Sequence, residues 1–266
     1  MNKIILPEEY NYIGVFLTMR CNYNCPYCIN WKIYSKYKEV DSKYWIENLS
    51  RIKTDLSVTL CGGEPSLYAG FYNIINQIPQ FIDILTNLSF DVHDFIKNVN
   101  PDKFNNSRSF APIRASFHAT SKDGIWINLS SVLEKIRLLM QSGFRIGLYC
   151  VDCEENKYAI EQLRKINWLD FQLKPLLDNT VKNIIEPHPV LCATREVFLS
   201  PDGQRYNCLR DMFKQQNSFG LLADMDKIEY EYKDCLTGNE CHPCALKIKR
   251  DRFGIYGYQA NVIKKV

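Results

Sequence analysis

The sequence predicts an α/β protein: a parallel sheet with covering helices, closed into a barrel or part of one. Six short apolar runs recur through the first two thirds of the chain, and stretches of helical period lie between them. After about residue 180 the pattern gives way to turn-rich sequence holding five of the eleven cysteines. Strand alternating with helix reads as a parallel sheet. Right-handed crossovers bend such a sheet towards a barrel.

The strand runs are YIGVFLTM (12–19), SVTLCG (57–62), FIDILTNL (81–88), IRASFHA (113–119), RIGLYCVD (145–152) and FQLKPLL (171–177). Among the helical stretches, DSKYWIENLSRI (41–52) opens on the N-cap residue Asp41 and sets Trp45, Ile46, Leu49 and Ile52 on one face. NLSSVLEKIRLLMQSG (128–143) aligns Leu129, Val132, Leu133, Ile136 and Met140 and stops at Gly143. NKYAIEQLRKINW (156–168) repeats the pattern. NTVKNIIEPHP (179–189) reads as a linker, and REVFLSPDGQRYNC (195–208) as two short strands around a Pro-Asp-Gly turn. The expected division is a domain over residues 1–185 and a small cysteine-rich module, a β-hairpin plus helix, over 186–266.

A formal charge of +3 gives no argument for nucleic acid or a membrane surface, and 46% hydrophobic with 24% charged residues is ordinary globular composition. No apolar run reaches the eighteen residues of a spanning helix. The opening MNKIILPEEY is too short in apolar residues for a signal peptide, so the expected location is cytoplasmic. Eleven cysteines, an odd number clustered towards both ends, make a poor disulfide framework for such a compartment. Metal or cluster binding is the leading reading.

Cys21-Asn-Tyr-Asn-Cys25-Pro-Tyr-Cys28 directly follows the first strand run, at the C-terminal end where parallel barrels place their sites. Three thiolates at this spacing reach one small centre and leave a metal position open, whereas structural zinc and electron-transfer clusters normally take four protein ligands. The second strand run ends in Gly62-Gly63-Glu64-Pro65. It reads either as a tight turn, or as glycines that let a ligand approach the backbone with Glu64 receiving a ligand amine.

Together these motifs resemble the radical S-adenosylmethionine (SAM) superfamily: CX3CX2C with an aromatic before the last cysteine (Cys21, Cys25, Tyr27, Cys28), then GGEP one βα unit later (Gly62 to Pro65). The resemblance covers about residues 12–180 and implies a partial (β/α)6 TIM-like barrel. It implies a [4Fe–4S] cluster on Cys21, Cys25 and Cys28, with SAM on the open iron. One electron then cleaves SAM to methionine and a 5′-deoxyadenosyl radical, which abstracts hydrogen from an unactivated C–H bond. A flavodoxin or ferredoxin is the expected one-electron donor. Tyr27, Gly62, Gly63, Glu64, Pro65 and Ser116 are the implied SAM contacts, and Thr86 and Asn87 at the end of the third strand run stand with Ser116. His118 reads either as a catalytic residue facing the substrate or as an ordinary hydrogen-bonded histidine.

The C-terminal pattern, Cys192-X10-Gly203-X4-Cys208 and then Cys241-X2-Cys244, resembles the twitch domain, the shorter relative of the SPASM domain. The resemblance implies a second, auxiliary [4Fe–4S] cluster on Cys192, Cys208, Cys241 and Cys244. A four-thiolate zinc site is the alternative for these residues. Cys235 is left over: a substitute ligand, a buried bystander, or a thiol returning a hydrogen atom to a substrate radical. Cys61, Cys150 and Cys153 read as structural.

An auxiliary cluster that accepts an electron makes the net reaction a two-electron oxidation, and a hydrogen-donating cysteine makes it an epimerisation. The expected substrate is a small polar molecule, a sugar, cyclitol or nucleotide derivative, because no room for a leader-binding domain is seen before Tyr12 or after Cys244. The competing readings are a peptide-modifying enzyme and a non-catalytic iron–sulfur or zinc protein. Lys247, Lys249, Arg250 and Arg252 read as a solvated basic face or as contacts for a substrate phosphate.

Overall fold

The structure is a computed structural model that describes residues 2–25, 27–28, 30, 37–106, 110–119, 127–176, 190–235 and 261–265. The elements begin β1 (Ile4–Ile5), β2 (Tyr12–Thr18), α1 (Ser42–Leu49), β3 (Ile52–Lys53), β4 (Val58–Gly62), α2 (Phe71–Gln77) and β5 (Ile82–Thr86). They continue α3 (Val92–Asn98), β6 (Ile113–Phe117), α4 (Leu129–Gln141), β7 (Ile146–Asp152), α5 (Lys157–Leu163) and β8 (Asp170–Pro175). The last group is β9 (Val190–Thr194), β10 (Glu196–Leu199), β11 (Arg205–Tyr206), α6 (Leu209–Lys214), β12 (Lys233–Cys235) and β13 (Asn261–Lys265).

Each of the six predicted strand runs supplies one parallel strand. They pair in sequence order, β2-β4-β5-β6-β7-β8, with a helix in every crossover. The runs are apolar almost throughout because such strands are covered on both faces. One face carries Ile13, Val15 and Leu17 of β2, Leu60 of β4, Ile84 of β5, Ile113 and Ala115 of β6 and Leu148 of β7. It packs on Trp45 and Leu49 of α1, Ile74 of α2, Phe95 of α3, Ile136 and Leu139 of α4 and Ile160 of α5. The alternate residues of the same strands point to the opposite face.

The helices form where their caps stand. Asp41 accepts the amide of Tyr44 at the start of α1, and Asn128 accepts those of Ser130 and Ser131 at the start of α4. Gly143 ends the α4 segment with φ +88, as its position after the helix predicts. The α4 stripe differs from the expected one: Leu139 is buried and Met140 is 41% exposed. The helix thus turns the position before Met140, not Met140 itself, onto the sheet. Ile52 leaves α1 altogether and pairs with Ile4 in the β1–β3 ribbon. α5 closes at Leu163, short of the expected 168.

The Pro-Asp-Gly hairpin forms as expected, with β10 antiparallel to β11. It is not separate from the main sheet. β10 pairs parallel to β2, Glu196 to Leu199 lying beside Tyr12 to Val15, so the eight-stranded sheet runs β11-β10-β2-β4-β5-β6-β7-β8. The architecture is α/β on a mostly parallel sheet. A second sheet, β12-β9-β13, is antiparallel, with β9 in the centre. α6 sets Met212 and Phe213 against Phe16, Cys61 and Phe198 on the main sheet's second face.

Deep on that second face lies a polar cluster. The Arg114 guanidinium is 3.4 Å from Asp83 Oδ2 and 3.5 Å from Thr59 Oγ1, and Asn106 Nδ2 donates to Asp83 Oδ1 at 2.9 Å. Asp83 is fully buried. A buried carboxylate robbed of its cation loses more than an exposed pair ever gains. Arg114→Met is expected to destabilise the chain by about 3–5 kcal/mol, read from the urea midpoint.

Candidate functional site

The cysteine loop and the GGEP turn meet because β2 and β4 are neighbours. A register shift between Phe16 and Thr18 twists the end of β2, as bulges beside sites do. The Gly63 amide then donates to the Thr18 carbonyl and the Glu64 amide to the Arg20 carbonyl, both at 2.8 Å. A Cβ on Gly62 would stand 2.1 Å from Thr18 O, and one on Gly63 2.1 Å from Arg20 O. Gly62 also has φ +133. What approaches these glycines is the chain's own backbone at the root of the cysteine loop. Asn30 closes the far end of the loop by donating its side-chain amide to the Gly62 carbonyl.

Glu64 follows the glycine pair and turns its carboxylate towards the end of β5. It is 1% exposed. Its Oε1 accepts the Ser66 amide (3.2 Å), the Ser66 hydroxyl (2.7 Å) and the Thr86 hydroxyl (2.8 Å), and its Oε2 the Asn87 amide (2.7 Å). Burial pushes its carboxyl above the ordinary range, against the downward pull of those four bonds. Glu64 therefore ties the end of β4 to the end of β5. Pro65, the next residue, is buried at the first position of the short 3₁₀ turn that Glu64 caps. Thr86 and Asn87 enter the site as partners of Glu64.

The three cysteines lie half-buried on this loop. Cys21 Sγ accepts the Tyr23 amide and Cys28 Sγ the Asn30 amide, each at 3.4 Å, and a turn bonds the Cys28 amide to the Cys25 carbonyl at 3.0 Å. Burial raises the Cys21 thiol, and burial with Cys28 and Cys21 nearby pushes Cys25 up to about 12. Thiols raised as Cys21 and Cys25 are would ionise only beside a strong cation, the charge that a bound metal centre would supply. Asn30 Oδ1 is buried at the same loop and meets no hydrogen-bond donor among the described residues. Among the described residues no three His, Cys, Asp or Glu side chains close on a single ion. Three free thiols on one loop are the kind of donor set that iron–sulfur clusters take, so the chemistry of these residues would suit a cluster with one iron left open.

His118 lies at the end of β6, between the two tyrosines of the loop. Its ring meets Tyr23 edge-on, centroids 5.7 Å apart, and Tyr27 at 5.6 Å. Burial, then the charge of Lys174, lowers its pKa to about 4. The Tyr27 hydroxyl and His118 Nδ1 share a hydrogen bond at 2.7 Å. Asn156 Nδ2 reaches the same hydroxyl at 3.4 Å and the Val151 carbonyl at 2.9 Å, while its Oδ1 accepts the Ala119 amide at 3.0 Å. Ser116 sits half-buried beside Tyr149, and the Lys174 ammonium lies 4.4 Å from the Tyr149 ring centroid. Asn30 and Asn156 escaped the sequence reading, since an asparagine in a loop carries no spacing signal.

Of the C-terminal cysteines, Cys192 is buried in β9 and Cys235 ends β12. Lys233 pairs with Cys192 and Cys235 with Val190, so Cys192 and Cys235 are diagonal neighbours on one face of the small sheet. Cys208 precedes α6, and the Thr194 hydroxyl bonds the carbonyl of Asn207 beside it. Cys241 and Cys244 lie outside the described residues, as do Lys247, Lys249, Arg250 and Arg252. Cys61 and Cys150 are buried in strands and Cys153 just after one, where burial pushes the Cys150 and Cys153 thiols to about 12 and about 11.

Residues 15–101, which hold both motifs, match the model of the Radical SAM superfamily. No curated protein matches this sequence. Among solved structures, anSMEcpe with bound AdoMet and the Kp18Cys peptide is 14% identical, with TM-score 0.55 over 82% of this chain and 78% of that one. BtrN in complex with AdoMet and 2-DOIA is 16% identical, with TM-score 0.51 over 85% and 81%. At these identities the likeness is one of fold.

Two outcomes test the geometry. Gly62→Ala and Gly63→Ala each force a methyl into backbone and are expected to lower stability by about 1–3 kcal/mol, seen in thermal unfolding of the metal-free chain. Because His118 titrates near 4 when folded and near its ordinary 6.5 when unfolded, the unfolded chain binds the extra proton between those values. Its contribution to stability is complete above pH 6.5 and is lost progressively as pH falls towards 4. Urea midpoints of wild type against His118→Phe across this range check the sign.

Proposed function

We propose that this chain is a radical SAM enzyme acting on a small polar substrate. One observation carries the reading: the CX3CX2C loop is fastened to the GGEP turn by the paired backbone bonds from Gly63 and Glu64 to Thr18 and Arg20. Cys21, Cys25 and Cys28 would hold a [4Fe–4S] cluster, and a cluster with three protein ligands leaves one iron for SAM. Reduced by one electron, such a centre supplies the chemistry that cleaves SAM and removes a hydrogen atom from an unactivated C–H bond.

The chain's own residues do the rest. The glycine pair holds the loop at a fixed height over β4, and Glu64 locks β4 to β5 beneath it. Asn30 Oδ1 is a ready acceptor for an amine donor such as that of SAM. Tyr27, Ser116, His118, Tyr149 and Lys174 form a polar wall at the ends of β6, β7 and β8, suited to hydroxyls or an anionic group on the substrate. AdoMet bound in both solved structures of this fold supports the cofactor, and the 2-DOIA of BtrN the small-substrate reading. The Kp18Cys peptide of anSMEcpe favours a second reading, a peptide substrate.

We further propose that Cys192, Cys208, Cys241 and Cys244 hold the auxiliary [4Fe–4S] cluster of a twitch-type module, giving oxidation, with Cys235 either standing in as ligand or returning a hydrogen atom in an epimerisation. A flavodoxin or ferredoxin is the proposed electron donor. The test is anaerobic reconstitution of wild type and of the Cys21/Cys25/Cys28 triple alanine variant. Wild type with dithionite is expected to release 5′-deoxyadenosine and methionine from SAM, and the triple variant to release none while retaining about four irons. SAM left intact by a loaded wild type sinks the enzyme reading. A triple variant without iron sinks the auxiliary cluster alone.

A further inference from the structure

The side-chain amide of Asn87 is accounted for atom by atom. Its Oδ1 accepts the Ser89 amide at 3.0 Å, which settles which way the group faces. Its Nδ2 then carries two N–H donors on the other side. One bonds Asn22 Oδ1 at 2.9 Å, and the other points at Cys21 Sγ, 3.9 Å away, a length that the large sulfur atom allows.

The turn that presents this amide is held on three sides. The Asn87 backbone amide bonds Glu64 Oε2 at 2.7 Å. The Thr86 hydroxyl accepts the Leu88 amide at 3.0 Å, and Lys135 of α4 donates to the carbonyls of Leu88 (2.7 Å) and Phe90 (3.3 Å). Leu88 itself has φ +57, a left-handed conformation that a leucine keeps only where its surroundings impose it. Asn87 is 9% exposed, so its amide has no ready alternative in water.

We infer that Asn87 is a positioning residue for Cys21 whose N–H···S bond raises the reduction potential of the cluster that Cys21 would help to hold. This rests on the radical SAM reading. Reduction adds an electron to the iron–sulfur unit and makes the ligand sulfurs more negative, so a donor aimed at Cys21 Sγ favours the reduced form. Among the described residues, the other sulfur contacts of the loop come from the backbone amides of Tyr23 and Asn30, which no side-chain change removes. Asn87 is therefore the place where a substitution separates the strength of the donor from the presence of the loop.

The experiment uses the full chain, reconstituted anaerobically, as wild type, Asn87→Leu and Asn87→Asp. Iron per chain is measured first, and the midpoint of the one-electron couple is then read by electron paramagnetic resonance during titration with dithionite. Loss of the signal in Cys21→Ala assigns it to this centre. Asn87→Leu is expected to disfavour the reduced form about tenfold, a fall of about 59 mV for one electron. Asn87→Asp keeps the shape and the acceptor for Ser89 but sets a carboxylate beside the sulfur, and it is expected to lower the midpoint further. Unchanged or raised midpoints in both variants overturn the assignment of Asn87 and leave the enzyme reading standing. A wild type that holds no four-iron cluster on Cys21, Cys25 and Cys28 overturns both.

Discussion

Everything at this site hangs on the close approach of two stretches of backbone. The end of β4 lies directly against the residues that lead out of β2, near enough that even a methyl group at positions 62 or 63 would collide with a carbonyl oxygen. Two amide–carbonyl bonds fill the gap. The cysteine loop therefore starts from a rigid base rather than from a free strand end. A rigid base matters for a site that must present several groups to one ligand, because small errors in placement cost heavily in such constellations.

Around that base the structure spends its buried polar groups on ties between strands rather than on solvent. Glu64 joins β4 to the turn after β5, Asn156 joins the segments after β6 and β7, and Tyr27 fastens the loop to His118. Each tie is satisfied on more than one side, which is the condition for a polar network to rigidify instead of weakening a fold. Low in the sheet, Arg114 and Asp83 do the same for the second face. The apolar packing of helices on the first face is ordinary by comparison.

The parallel strands were legible because a strand covered on both faces must be apolar along its whole length, and six such runs stand out against their neighbours. The cysteine spacing and GGEP were legible as a pair for the same kind of reason: they are local. What stayed hidden depends on distance in space. Nothing in Glu196–Leu199 says that it will lie beside Tyr12–Val15, so the hairpin read as part of a separate module. Nothing in GGEP says that the glycines serve the backbone and the glutamate the neighbouring strand. α2 and α3 are too short for a clear period, and the α4 stripe was off by one position because a helix face is wide enough to admit either Leu139 or Met140.

The pairing of β10 with β2 has a consequence for how the chain reaches this state. β2 is an internal strand in the finished sheet, yet one of its two neighbours is encoded some 180 residues after it. During synthesis β2 spends that interval as an edge, an apolar ladder with unmet hydrogen bonds, and such edges invite pairing with other chains. Contacts this far apart in sequence also form slowly. The strand that launches the cysteine loop is thus among the last to be enclosed, and the loop itself hangs from an unfinished border until the C-terminal third of the polypeptide has emerged.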